Sequence, residues 1–206
     1  QLRRCFMKID LGVKPYLFPM PVLLVATYCD DGSVNVMNMA WGQICARNMV
    51  SLKINERHKT SENLKQRRAF TLSLADEAHL EAADFFGIVS GRKMPDKFAR
   101  SGLTAVKSEK VDAPIIQELP LTLECRVVKD EMTPYGHMIL GEIVGVLAEP
   151  SVLDESGNVD PKKLRAVVYD QMQSGYYAVG EKIGQAWRLG AGLANGTDDE
   201  ILLVEP

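Results

Sequence analysis

Residues 21–41 read PVLLVATYCDDGSVNVMNMAW. Val22 to Cys29 is a short apolar run rich in valine and leucine, the pattern of a buried strand. Asp30-Asp31-Gly32 breaks it with a turn signal, and Ser33 to Trp41 then alternates Val34, Val36 and Met39 with polar neighbours. An apolar run, an aspartate–glycine turn and an alternating run together predict a β-hairpin with Asp31-Gly32 at its tip.

Outward from this hairpin the pattern stays mostly strand-like. Asn48 to Ile54 and Ala69 to Leu74 read as further strands. Between them, Thr60 or Ser61 is placed to cap a helix running from Glu62 to Arg67. Ala75 to Phe86 has helical spacing in Leu80, Ala83 and the Phe85/Phe86 pair. Pro95 fits the first turn of a short helix ending near Gly102. Val111 to Glu118 reads as a connector, with Pro114 and Pro120 breaking regular structure. Leu119 to Lys129 and Met138 to Ala148 are two long strands, parted by Asp130 to His137. Asp160-Pro161 starts a helix over Lys162 to Gln171. Gly175 to Leu193 is rich in glycine and aromatics, Trp187 among them. Strands and helices do not alternate regularly, which disfavours a doubly wound sheet. The expected fold is mainly β with helical insertions, an antiparallel barrel. It forms one domain over residues 7–194, followed by an acidic tail at 195–206.

Bulk properties exclude several classes. The chain has 206 residues, a formal net charge of -3 and 25% charged residues, ordinary for one soluble domain. No basic field is available for a nucleic-acid backbone or an anionic membrane. No apolar run approaches the roughly 20 residues of a membrane span, and no secretory signal opens the chain. Met7 is a candidate native start. Cys5, Cys29, Cys45 and Cys125 form no CxxC pair, which argues against a disulfide framework or a zinc site and points to a reducing, cytoplasmic setting. GxSxG, GxxxxGK[ST] and HExxH are absent.

Four polar clusters sit at predicted strand ends, where ligand sites usually form. Asn35 to Trp41 carries two asparagines and a tryptophan; it is either a ring-lining strand or a half-buried strand with a core Trp. Asn55 to Ser61 offers Arg57, Lys59, Thr60 and Ser61 at a helix N-terminus, chemistry suited to a phosphate dianion, or else forms a solvated, capped loop. Ser90-Gly91-Arg92, followed by Lys97, combines a close-approach glycine with two cations. It is either an anion site or a surface loop with an amphipathic helix. His137 lies at the start of a strand, as a ligand contact or a structural histidine.

The order P-x-P-V-L-L-V-A-T-x-x-x-D-G-S-V-N, N-M-A-W, D-K-F, A-P-I-I-x-E-x-P-L-T-L-E-C and G-H-x-x-L-G-E-I resembles the flavin reductase-like, FMN-binding split-barrel family, in its flavoredoxin branch. The likeness runs from Pro15 to Leu193. It implies a split β-barrel that binds FMN and works as a homodimer with flavin near the subunit interface. By position, Asn35, Asn38, Met39, Ala40 and Trp41 would contact the isoalloxazine region. Arg57, Lys59, Thr60 and Ser61 would hold the phosphate, and Ser90, Gly91, Arg92 and Lys97 would close over it. His137 would approach the ring and Tyr169 would cap it. Ala40 departs from the serine or threonine frequent in relatives, which puts a hydroxyl contact there in doubt. No catalytic residue and no metal are implied, because the redox chemistry belongs to the flavin. NAD(P)H or a redox protein would supply electrons. The alternatives are a non-enzymatic FMN electron carrier and a non-redox β-barrel that binds another ligand.

Overall fold

The computed structural model of the chain describes residues 8–186 and 188–190. Cys5, Met7, Trp187 and the acidic tail at 195–206 lie outside the described residues. In chain order the strands are β1 (Met20–Pro21), β2 (Leu23–Tyr28), β3 (Val34–Met39), β4 (Gly42–Ala46) and β5 (Met49–Ile54). Helix α1 (Lys59–Arg67), β6 (Ala69–Leu74), α2 (Leu80–Ile88), α3 (Lys97–Arg100), β7 (Ala105–Lys107) and β8 (Pro114–Ile116) follow. The long pair β9 (Leu121–Thr133) and β10 (Gly136–Ala148) comes next, then a 3-10 turn at Pro150–Val152, α4 (Pro161–Leu164), β11 (Val167–Asp170) and β12 (Gly175–Ala178).

Seven strands form one antiparallel sheet in the order β3-β2-β6-β9-β10-β5-β4. The sheet curls round a core drawn from nearly all of its members: Leu23, Val25, Met37, Met39, Val50, Leu52, Ile54, Phe70, Leu72, Cys125, Val127 and Ile139. Phe70 fills this interior so closely that a Cβ on Gly141 would lie 2.6 Å from its ring, so only glycine fits there. The apolar run of β2 now has its reason. Leu23 and Val25 face the barrel, while Val22, Leu24 and Ala26 face a second core with Ala83 and Phe86 of α2, Ile116 of β8 and Val167 of β11. A strand buried on both faces reads as a continuous hydrophobic run.

Helix α1 plugs one end of the barrel. Leu64 is fully buried in the barrel core, and polar bonds tie the helix to its neighbours. Asn35 Nδ2 donates to Thr60 Oγ1 at 2.9 Å, and Asn63 Nδ2 donates to Thr27 Oγ1 at 3.0 Å. Most buried polar groups in folded proteins are partnered in this way.

Several boundaries differ from the sequence reading. Helix α1 starts at Lys59 with His58 as its cap residue, and no side chain caps it. The hydroxyls of Thr60 and Ser61 bond to the barrel instead. The helix expected over Lys162 to Gln171 stops at Leu164, because Arg165 takes a left-handed conformation (φ 49°). Val167–Asp170 then pairs with β1 and β12, as β-branched valines favour. The connector at Val111 to Glu118 contains β8, paired with β7. Strand β4 was hidden by its mostly exposed side chains. The loop expected at Asp130 to His137 shrinks to the tip Pro134-Tyr135 between β9 and β10.

Candidate functional site

A groove runs along β3 and the N-terminus of α1, in three joined parts that meet at Asn38. The first is a recess of about 200 Å³ lined by Asn35, His58, Lys59, Thr60, Phe86, Ser90, Gly91 and Lys97. It borders an outer depression walled by Cys29, Asp31, Lys59, Gly91 and Arg92. The second part, about 770 Å³, is lined by Met37 to Met39, Trp41, Lys53, Arg57, His58 and the β9–β10 tip. The third is a cleft of about 250 Å³ between Asn38 to Trp41 and the pair Tyr169 and Tyr176.

The recess has the makings of an anion receptor. Lys97 is only 3% exposed. Its ammonium donates to the carbonyls of Phe86 (3.3 Å) and Val89 (3.1 Å) at the end of α2, and lies 5.8 Å from the Phe86 ring centre. Among the described residues no carboxylate pairs with it. Burial therefore pulls the Lys97 ammonium down from its ordinary value to about 8. Desolvation and then the Lys97 charge likewise hold His58 below the usual imidazole value. A buried ammonium with no carboxylate partner among the described residues, beside an uncapped helix N-terminus, describes a site short of negative charge.

Gly91 closes the recess against β3. A Cβ there would lie 2.3 Å from Asn35 Oδ1, so the turn after α2 can approach only with glycine. Ser90 organises that turn: its carbonyl accepts from the amides of Lys93 and Met94. Lys59 and Arg92 stand at the rim but share Glu62, at 2.6 and 2.7 Å. Their hydrogen bonds and charges, that of Lys59 foremost, lower the Glu62 carboxyl. The Arg92 guanidinium also donates to the Arg57 carbonyl at 3.0 Å, which ties the turn after α2 to the segment leading into α1.

Asn38 is fixed by its Nδ2 bond to the Ala83 carbonyl at 2.9 Å, which attaches α2 to β3. Trp41 is 51% exposed, so the core reading of this tryptophan does not hold. Its carbonyl accepts from the Lys53 amide at 2.8 Å, joining β3 to β5 at the turn into β4. Ala40 and Met39 are buried behind it. Tyr176 Oη donates to Asp84 Oδ1 at 2.7 Å, and burial, then that carboxylate, push its phenol up to about 12.

Of the residues singled out from sequence, the structure brings Asn35, Asn38, Met39, Ala40, Trp41, Arg57, Lys59, Thr60, Ser90, Gly91, Arg92, Lys97 and Tyr169 to this groove system. Ser61 and His137 are not among its walls. His137 is fully buried, with Nδ1 2.9 Å from Ser61 Oγ and Nε2 bonded to Asp130. It sits inside β10, paired with Ile54 and Met132, because the strand starts at Gly136. These two residues hold α1 to the barrel. Sequence reasoning did not single out His58, Phe86, Lys53 and Tyr176 as wall residues, although His58 lay within the quoted polar cluster, Phe86 on the apolar face of a predicted helix and Tyr176 in the aromatic-rich stretch from Gly175.

Among the described residues no helix is long and apolar enough to cross a membrane, and no cluster of His, Cys, Asp or Glu has metal-binding geometry. The profile of the flavin reductase-like domain family matches residues 16–174. Flavoredoxin of Desulfovibrio vulgaris (Miyazaki F) superposes with a TM-score of 0.84 at 34% identity, covering 89% of this chain and 100% of that one. Flavoredoxin from Methanosarcina acetivorans gives 0.83 at 27% identity, with 91% and 99% covered. A split-barrel protein from Shewanella frigidimarina gives 0.72 at 20% identity, covering 82% and 85%, a likeness of fold.

Proposed function

Because the chain belongs to the flavin reductase-like domain family, we propose that it is an FMN-binding oxidoreductase that passes electrons from NAD(P)H or a redox partner to an acceptor. The observation that carries this reading is Lys97, a cation 3% exposed beside the start of α1 with no carboxylate partner among the described residues. Desolvating an ammonium is costly, and an anionic ligand offsets that cost. The ribityl phosphate of FMN fits the donor set: Lys97, the first amides of α1, Thr60 and the Ser90-Gly91 turn. The ring would lie along Asn38, Met39, Ala40 and Trp41, with Tyr169 on the cleft beside them.

Bound FMN supplies the redox chemistry. The protein's own part is to bind, orient and shield. Lys97 and the helix N-terminus anchor the phosphate end. Asn35 and Gly91 set the depth of the recess. Asn38, held by Ala83, fixes the wall against which a ring would pack. No side chain is required to transfer a proton, so none is assigned as catalytic.

The likeness to flavoredoxins supports a homodimer, and the exposed Leu17 and Trp41, which line one shallow cleft, suit such a contact. Free Cys29, Cys45 and Cys125 suit a reducing, cytoplasmic compartment. Anaerobic mixing of the FMN-loaded protein with NADPH and with NADH tests the enzyme reading. Rapid bleaching of the flavin band by either is expected. Retained FMN without bleaching by either would leave an electron carrier served by a protein partner.

A further inference from the structure

Ser61 and His137 stand off the groove walls, yet their hydrogen bonds end on the segment that builds one of them. Both are fully buried. The Ser61 hydroxyl lies 3.0 Å from the Asn55 carbonyl and 2.9 Å from His137 Nδ1. A carbonyl only accepts, so Ser61 donates to Asn55 and its oxygen accepts from His137. On its other side the imidazole meets Asp130 Oδ1, and Asp130 Oδ2 accepts from Arg68 at 3.4 Å. The row Arg68, Asp130, His137, Ser61 and Asn55 therefore runs from the end of α1, across β9 and β10, back to the residues ahead of its start.

Asn55 is where this row meets the groove. Its Oδ1 accepts from the Arg57 amide at 2.9 Å, and its carbonyl accepts from the His58 amide at 3.1 Å. These bonds shape the turn from Asn55 to His58, which lines the largest part of the groove and delivers Lys59 and Thr60 to the recess. An anion at a helix N-terminus is held by the first amides, and such bonds weaken steeply when their angles change. We infer that Ser61 and His137 are positioning residues of the anion site. They touch no ligand; they fix Asn55, and through it the direction in which α1 presents its first donors. The inference rests on the FMN reading, which supplies the anion.

The test is fluorescence titration with FMN, beside thermal melts of the FMN-free protein, in the wild type, Ser61→Ala, His137→Phe, the double variant and His137→Asn. Asparagine keeps an amide donor in the place of Nδ1, facing Ser61, but does not extend to Asp130. The FMN dissociation constant should rise about five- to tenfold in Ser61→Ala and in His137→Phe, the equivalent of one hydrogen bond. The double variant should lose no more than either alone, because both break the same row. His137→Asn should melt lower than the wild type, with Asp130 deprived of its partner, yet keep the wild-type FMN affinity. A merely structural role makes affinity fall in step with melting temperature instead. Wild-type affinity in Ser61→Ala, losses that add in the double variant, or His137→Asn binding as weakly as His137→Phe overturns the inference. Ser61→Ala removes a single oxygen, so it decides the matter even where the phenylalanine variant does not fold. A wild-type chain that binds no FMN overturns the reading beneath it as well.

Discussion

Replacing Lys97 with methionine keeps the apolar stem and removes the charge, so it separates binding from folding. A charge-assisted hydrogen bond to a phosphate oxygen contributes about 1.5–3 kcal/mol, so the FMN dissociation constant should rise about 10- to 100-fold. Stability should respond differently. The folded protein holds Lys97 at about 8, whereas an unfolded lysine titrates near about 10.4. Between those values the unfolded chain binds more protons than the folded one, so stability of the FMN-free protein rises with pH across that window. The full effect is at most about 3 kcal/mol. Lys97→Met removes this slope. At pH 7 it also relieves the burial of the cation but leaves the Phe86 and Val89 carbonyls without their donor, a loss of about 1–3 kcal/mol that offsets the gain. Fluorescence titration with FMN and urea melts from pH 7 to pH 10 read both quantities. Wild-type FMN affinity in the variant would refute the anchoring role, and an unchanged pH slope would refute the account of the buried ammonium.

Gly91→Ala should force Asn35 away from Thr60, because the new Cβ would meet Asn35 Oδ1 at 2.3 Å; a roughly tenfold loss of FMN affinity, about one hydrogen bond, is expected by titration. Tyr176 should be the late-titrating tyrosine, reaching its midpoint near pH 12 in an ultraviolet titration. Its raised phenol contributes stability that is present below about pH 10 and lost as pH rises through about 12, and Tyr176→Phe should abolish that loss. In the native protein Cys45, which is exposed, should react readily with a thiol reagent. Cys125, fully buried and pushed up to about 12, should react only after unfolding; mass-mapped labelling distinguishes the two.

Local patterning made the barrel legible. The run from Val22 to Cys29 and the turn at Asp31-Gly32 carry their structure in a few residues, and β2 and β3 pair as that pattern implies. What was hidden depends on contacts distant in sequence. Strand β4 has one buried residue in five, so no periodicity betrays it; its pairing with β5 defines it. Residues 162–171 open with a good helix start, but the strand at Val167–Asp170 finds partners in β1 and β12. The site followed the same division. Residues grouped in sequence, such as Ser90, Gly91, Arg92 and Lys97, arrive together because the turn after α2 runs within a few residues into α3. His137 and Ser61 pointed inward instead. Their pairing spans 76 residues, and only the seating of α1 in the barrel end reveals it. Glu62 as the shared partner of Lys59 and Arg92 was equally invisible, since it needs α1 and the post-α2 turn side by side.

The most direct test of the central claim is the visible absorption spectrum of the purified protein after incubation with FMN and desalting. The account predicts flavin bands that travel with the protein at about one per chain, released when Lys97 is replaced. A protein that emerges colourless, and whose fluorescence titration shows no saturable FMN binding, would contradict it.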